Sequence, residues 1–138
     1  MDIYAENILE HFRHPRNKGT LTGATVKHEE ANHACGDTVA ISLQIKNGKI
    51  LRTQWEGTGC AISQAAMSLL SERLVGMNIE TAAQLHKKDV LELLGIPVST
   101  RRMKCALLCL HTLKNALHIA EGGKTQNWLD TVEIDEGS

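Results

Sequence analysis

The feature that most restricts the fold of this chain is Asn47-Gly48, set between two runs of strand-like residues. Before it, Val39, Ile41, Leu43 and Ile45 alternate with Ala40, Ser42 and Gln44. That period of two describes a strand with one face buried. Asn-Gly supplies the positive backbone φ angles of a two-residue hairpin turn. Ile50 to Glu56 then returns as the partner strand, with Leu51, Thr53 and Trp55 sharing one side. A weaker strand is expected between Leu21 and Glu30, through Ala24, Val26 and His28. Residues 22–56 therefore predict a three-stranded antiparallel meander.

Helical spacing governs the rest. Ile3, Ile8, Leu9 and Phe12 predict a helix over 3–13 with Asp2 as N-cap, stopped by the segment Pro15 to Gly19. Ile62, Ala65, Ala66, Leu69, Leu70 and Leu74 recur every three to four residues and predict a helix ending near Gly76. Ile79 to Leu94 predicts one or two short helices with Asp89 as a cap between them, and Gly95-Ile96-Pro97 breaks the chain. A long amphipathic helix follows from about Arg102 to Ala120, closed by Gly122-Gly123. The tail, 124–138, holds Trp128, Leu129 and Val132 without a firm pattern. Strands first and helices after predict an α+β domain with helices packed on one face of the sheet.

A chain of 138 residues accommodates one such domain, spanning 1–138. Fifteen basic and sixteen acidic side chains leave a formal charge of −1, which removes a net-charge argument for nucleic acid or an anionic membrane. The longest purely apolar run, Ala106 to Leu110, is far below the ~20 residues needed to span a bilayer. Met1 to Glu6 is acidic and amphipathic, so a leader peptide is not expected. Only 3% of residues are aromatic, so the core must be aliphatic.

Against that background four cysteines stand out: Cys35, Cys60, Cys105 and Cys109. In a cytoplasmic chain, the expected location here, thiols serve metal binding or catalysis more often than disulfides. Three of them fall at element boundaries. Cys35-Gly36-Asp37 precedes the clearest strand, Cys60 follows Gly57-Thr58-Gly59 at the start of a helix, and Cys105 lies in the first turn of the last long helix. Helix starts favour thiolate, the form that binds metal or attacks sulfur. Asp37 stands two residues from Cys35, and its carboxylate would complete a four-ligand set for zinc or iron. The spacing holds no C-x-x-C pair, so it does not itself specify a metal.

Plainer roles compete for several of these residues. Cys109 lies mid-helix between Leu108 and Leu110, which suits core packing, although it shares a helix face with Cys105. Asp37 could cap an Asx-turn, and Gly57 and Gly59 could simply make a tight turn. His11, His14, His86, His111 and His118 suit partly exposed helix surfaces; His33 alone is close in sequence to a candidate ligand. Gly-x-Gly without a third glycine is no dinucleotide fingerprint.

Four blocks in order carry a resemblance. They are Tyr4 to Phe12 with Pro15 to Gly19; Ala34-Cys35-Gly36-Asp37; Gly57 to Ala65; and Arg102-Met103-Lys104-Cys105-Ala106. Together they resemble the U-type iron–sulfur cluster assembly family: IscU, SufU and the N-terminal domain of NifU. The resemblance implies that Cys35, Cys60 and Cys105 are the family's three essential cysteines and that Asp37 is its ligand aspartate. It implies a non-enzymatic scaffold that assembles a transient [2Fe–2S] cluster and hands it to recipient apo-proteins, with sulfur supplied by a cysteine desulfurase. Soft thiolates would hold iron and sulfide, while one harder oxygen ligand would leave the cluster labile.

The two branches of the family mix in this chain. Lys104 stands where IscU carries histidine, and Ile96 to Arg102 replaces its Leu-Pro-Pro-Val-Lys segment. Arg102-x-Lys104-Cys105 resembles SufU. Yet 44 residues separate Cys60 from Cys105, close to the IscU interval and without the SufU insertion, and Leu110 replaces a SufU tryptophan. The short interval favours the scaffold. The alternative is a SufU-like sulfurtransferase in which Zn2+ occupies the same ligands. A purely structural zinc domain is a third reading, disfavoured by ligands on exposed loops. Cys105 is the expected sulfur acceptor, with Cys35 as the alternative.

Overall fold

The computed structural model describes residues 3–135. Helix α1 (Ile3–Arg13) leads into strands β1 (Val26–Asn32), β2 (Asp37–Lys46) and β3 (Lys49–Thr58). Helices α2 (Ala61–Leu74), α3 (Ile79–Ala83), α4 (Lys87–Leu94), α5 (Met103–Ala120) and α6 (Trp128–Val132) follow, with a short 3₁₀ turn, Thr100–Arg102, before α5. The expected Asp2 cap and the side chains of Ile3 and Tyr4 lie outside the described residues.

The sheet has the order β1-β2-β3 and is antiparallel throughout, as the meander predicts. Asn47 and Gly48 both take positive φ, the geometry a two-residue hairpin requires. Val39, Ile41 and Leu43 are fully buried and bear on α2 and α5. β3 departs from simple alternation. Ile45 pairs with Ile50 whereas Gln44 pairs with Arg52, so Leu51 is an extra residue and the strand changes phase. Ile50 and Thr53 are buried, and Leu51, expected on the side of Thr53 and Trp55, faces solvent.

The first strand begins five residues later than Leu21. Leu21 is buried from the preceding loop instead. The core is aliphatic, as the scarcity of aromatics requires; Met67, Leu70, Leu74, Leu94, Leu107, Leu108, Leu110 and Leu113 are its largest helical members. Asp89 is not the cap of α4. His86 is the N-cap, its ring accepting from the Lys88 N–H, and Asp89 reaches back to accept from the His86 N–H at 2.7 Å.

The tail is more ordered than its composition suggests. Trp128 and Val132, four residues apart, are buried from α6 against α5, and Leu129 points outward. Gln126 joins it, its N–H donating to Asn115 Oδ1 at 2.7 Å. No helix among the described residues is long and apolar enough to cross a membrane.

Candidate metal centre

The four cysteines are free. Three of the four residues picked out by sequence converge. Single donor atoms of Cys35, Asp37 and Cys105 all lie within 4.8 Å of one another, although Cys105 is about 70 positions further along the chain. The four-residue loop His33 to Gly36 closes the β1–β2 hairpin. The N–H groups of Cys35 and Gly36 donate to the Asn32 carbonyl, and Gly36 takes φ +73°. That turn presents Cys35 to solvent directly beside Asp37, the first residue of β2.

Asp37 is 1% exposed. Its Oδ1 accepts from the Cys60 backbone N–H at 2.9 Å, which ties the start of α2 to the start of β2. Its Oδ2 is buried and accepts from no N–H or O–H donor among the described residues; only the thiols of the site stand near it. A carboxylate oxygen buried without a strong donor is costly, and a cation bound between it and the neighbouring thiols removes that cost. The role of Asp37 is thus neither a plain Asx-turn nor a cap within its own loop.

The glycines of Gly57-Thr58-Gly59 permit this approach. A Cβ on Gly57 would fall 2.4 Å from the Thr38 carbonyl oxygen. A Cβ on Gly59, whose φ is +140°, would fall 2.2 Å from Asp37 Oδ1. Both the tight-turn and the close-approach readings hold at Gly59, because the turn exists to seat the carboxylate.

Cys60 is half-buried at the N-cap of α2. Its thiol is not one of the three converging donors, but it interacts electrostatically with Cys105 and with Arg102. Cys105 is fully buried. The expectation that the helix start lowers its pKa is reversed. Burial pushes the thiol well up, and hydrogen bonds with Asp37 and Cys35 and the charge of Cys60 push the same way. Without a cation, then, the protonated thiol is the stable form; a bound metal displaces that proton.

Two contributors escaped the sequence. Buried Asn32 donates from Nδ2 to Cys105 Sγ at 3.7 Å, and its only sequence signal is its place at the end of a strand. The Arg102 guanidinium stands beside the Cys60 and Cys105 thiols, which raise its pKa. Arg102 had appeared only as a position in a motif. Cys109 takes no part: it is enclosed, its thiol donates to the Ala106 carbonyl at 3.5 Å, and burial pushes it up to about 12. Two histidines expected at the surface are buried. His11 bonds Ser68 at 2.7 Å, and His111 bonds Thr131 at 2.6 Å while stacking on Trp128.

Two thiols and one carboxylate gathered within 4.8 Å, with the Cys60 thiol nearby, can hold zinc or iron, or bind sulfide-bridged iron. Comparison with known proteins agrees with that chemistry. The family model of the NifU-like N-terminal domain matches residues 3–126. The iron–sulfur cluster assembly scaffold protein IscU of Thermotoga maritima is 33% identical over 131 residues, covering 83% of this chain and 92% of that protein. The zinc-dependent sulfurtransferase SufU of Bacillus subtilis is 29% identical over 138 residues, covering 88% and 93%. Among solved structures, the SUF-system scaffold FiSufU of Fervidobacterium islandicum AW-1 superposes with a TM-score of 0.68 at 26% identity, covering 81% of this chain and 94% of that one.

Proposed function

For a chain that belongs to the NifU-like N-terminal domain family, we propose an iron–sulfur scaffold role in which Cys35, Asp37, Cys60 and Cys105 gather iron and sulfide as cargo. The cargo leaves as a [2Fe–2S] cluster for recipient apo-proteins, and its sulfur comes from a cysteine desulfurase. The observation that carries this reading is the buried Oδ2 of Asp37, without an N–H or O–H donor and beside two thiols. A cation placed there removes the cost of burying that oxygen without a strong donor. The placement also suits release. Cys35 and the β1–β2 loop lie at the surface, so one side of the site is open to a recipient. Arg102, beside Cys60 and Cys105, offsets the negative charge that three thiolates and a carboxylate bring together.

A second reading has its own support. Cys35 is exposed while Cys105 is buried, so an incoming persulfide reaches Cys35 first. Cys105 is then the acceptor only if the site opens. Together with Lys104 in place of a histidine, this favours a sulfurtransferase in which Zn2+ is held by the same four residues and keeps their thiols deprotonated. Cys35 thiolate would attack the outer sulfur of the donor persulfide, and the donor cysteine would leave as thiolate.

Anaerobic incubation with ferrous iron, cysteine and a cysteine desulfurase separates the two. A [2Fe–2S] absorption spectrum followed by transfer to apo-ferredoxin supports the scaffold. A zinc-dependent rise in desulfurase turnover with no cluster supports the sulfurtransferase and overturns the first reading. Under the scaffold reading Asp37→Ala removes the hard, weak ligand. Cluster transfer to apo-ferredoxin should slow by roughly tenfold, the equivalent of about 1.4 kcal/mol. Faster loss than wild type would refute Asp37 as the labile ligand.

A further inference from the structure

Cys35 and Asn32 of the candidate metal centre also line a pocket of about 490 Å³ whose other residues the metal-site argument does not use. Small-molecule sites generally occupy about 300–1,000 Å³. Ala34 and Cys35 come from the β1–β2 loop, Thr100 and Arg101 from the 3₁₀ turn, and Met103 and Lys104 from the start of α5. Glu133 and Ile134, just after α6, complete the lining with Asn32 and Lys87. Glu133 and Ile134 lie beyond residue 126, where the family match stops.

The charge of the lining is unbalanced. Among the described lining residues, Lys87, Arg101 and Lys104 are cationic and Glu133 is the one acid. Glu133 is already engaged: it meets His86 Nε2 at 2.9 Å and Lys87 Nζ at 3.9 Å. Lys104 lies over the Trp128 ring, 5.4 Å from its centroid, which orients the ammonium without neutralising it. Arg101 is exposed and has no ion-pair partner among the described residues. Ala34, Met103 and Ile134 add apolar surface to the same lining as these cations and Cys35.

We propose that this pocket binds a small carboxylate-bearing thiol of dipeptide or tripeptide size, with its carboxylate on Arg101 and Lys104 and its sulfur against Cys35. The cations select the carboxylate, the apolar wall takes the aliphatic body, and the protein group at the rim exchanges only with sulfur. The consequence rests on the sulfur chemistry proposed above. When Cys35 carries a persulfide, the ligand thiol attacks its outer sulfur. A new S–S bond forms on the ligand, the Cys35 S–S bond breaks, and the electron pair and the ligand's proton end on Cys35 Sγ. No oxidant or reductant is consumed.

Calorimetric titration of the full chain with S-methylglutathione tests the site, because this thioether carries two carboxylates and cannot exchange sulfur. Saturable binding is expected, weakened about tenfold by the dimethyl ester of the same probe and about tenfold by Arg101→Gln. As a second measurement, iodoacetate should alkylate Cys35 faster relative to iodoacetamide than it alkylates a free thiol, and Arg101→Gln should abolish that preference. Absence of saturation, equal binding of acid and ester, or an unchanged preference in the variant would overturn the proposal. The titration needs no iron, zinc or desulfurase. Intact binding with failed cluster assembly and failed sulfur transfer therefore refutes the function above and leaves the pocket standing, and the converse refutes the pocket alone.

Discussion

Gly59 and Asp37 form a pair in which one residue has no side chain so that the other can be buried. Gly59→Ala places a methyl group 2.2 Å from Asp37 Oδ1 at a φ of +140°, so the carboxylate must move. Zinc stoichiometry, measured by a chromogenic chelator, should fall, and urea unfolding should show a loss of about 1–3 kcal/mol. Gly122→Ala is the control. It also has positive φ, but a Cβ there meets nothing within 4 Å, so about 1 kcal/mol or less should be lost and metal binding should be retained. Cys109 gives the opposite contrast to Cys105. Cys109→Ala should leave zinc stoichiometry intact and cost about 1 kcal/mol of stability, because only a small buried sulfur is removed. A dead Cys109 variant would place it in the site after all. At this scale the ligand types were legible, since thiols and a carboxylate near loop glycines have few other uses. The partners were not. Nothing in the sequence distinguishes the Asn32 that donates to Cys105 from any other strand-end asparagine.

Between elements, α1 is fastened to α2 by a polar staple that amphipathic patterning does not reveal. Buried His11 bonds Ser68 Oγ, which also accepts from the Arg16 N–H at 2.9 Å. Burial lowers the pKa of His11, Arg16 lowers it further, and Glu72 and Glu10 only partly oppose them. The unfolded chain therefore binds this proton more readily than the folded one. The stabilisation is complete above the ordinary histidine value and is lost as pH falls through about 6.5 toward the lowered folded value. Thermal unfolding at about pH 7.5 and pH 5.5 should show a larger loss of Tm in the wild type than in His11→Asn. An equal loss would mean that other groups carry the acid sensitivity. Apolar periodicity located both helices, but it treats histidine as a surface residue. The bulge in β3 escaped for a related reason: an inserted residue shifts phase without changing composition, so Leu51 and Ile50 exchanged places.

Taken as a whole, the molecule closes at its C-terminal end, where α6 returns to α5. Trp128 stacks on His111 with ring centroids 4.2 Å apart, and Val132 is buried beside it. Trp128→Ala should cost about 3–5 kcal/mol in urea unfolding. A loss below 1 kcal/mol would mean that the tail is a loose appendage. The sequence by itself determined the strand–turn–strand frame, the aliphatic helices and the candidate ligand residues, because these follow from local periodicity, turn chemistry and residue type. Tertiary structure alone decided which donors meet. Cys35, Asp37 and Cys105 come within 4.8 Å because α5 packs against β1 and β2 and the Gly57–Gly59 turn lets the Cys60 N–H reach Asp37. It also decided that Cys105 is buried, which pushes its thiol pKa up, that two histidines are interior, and that the tail lines a pocket rich in cations. Each of these depends on burial and on neighbours distant in sequence, and neither quantity is a property of a local stretch of chain.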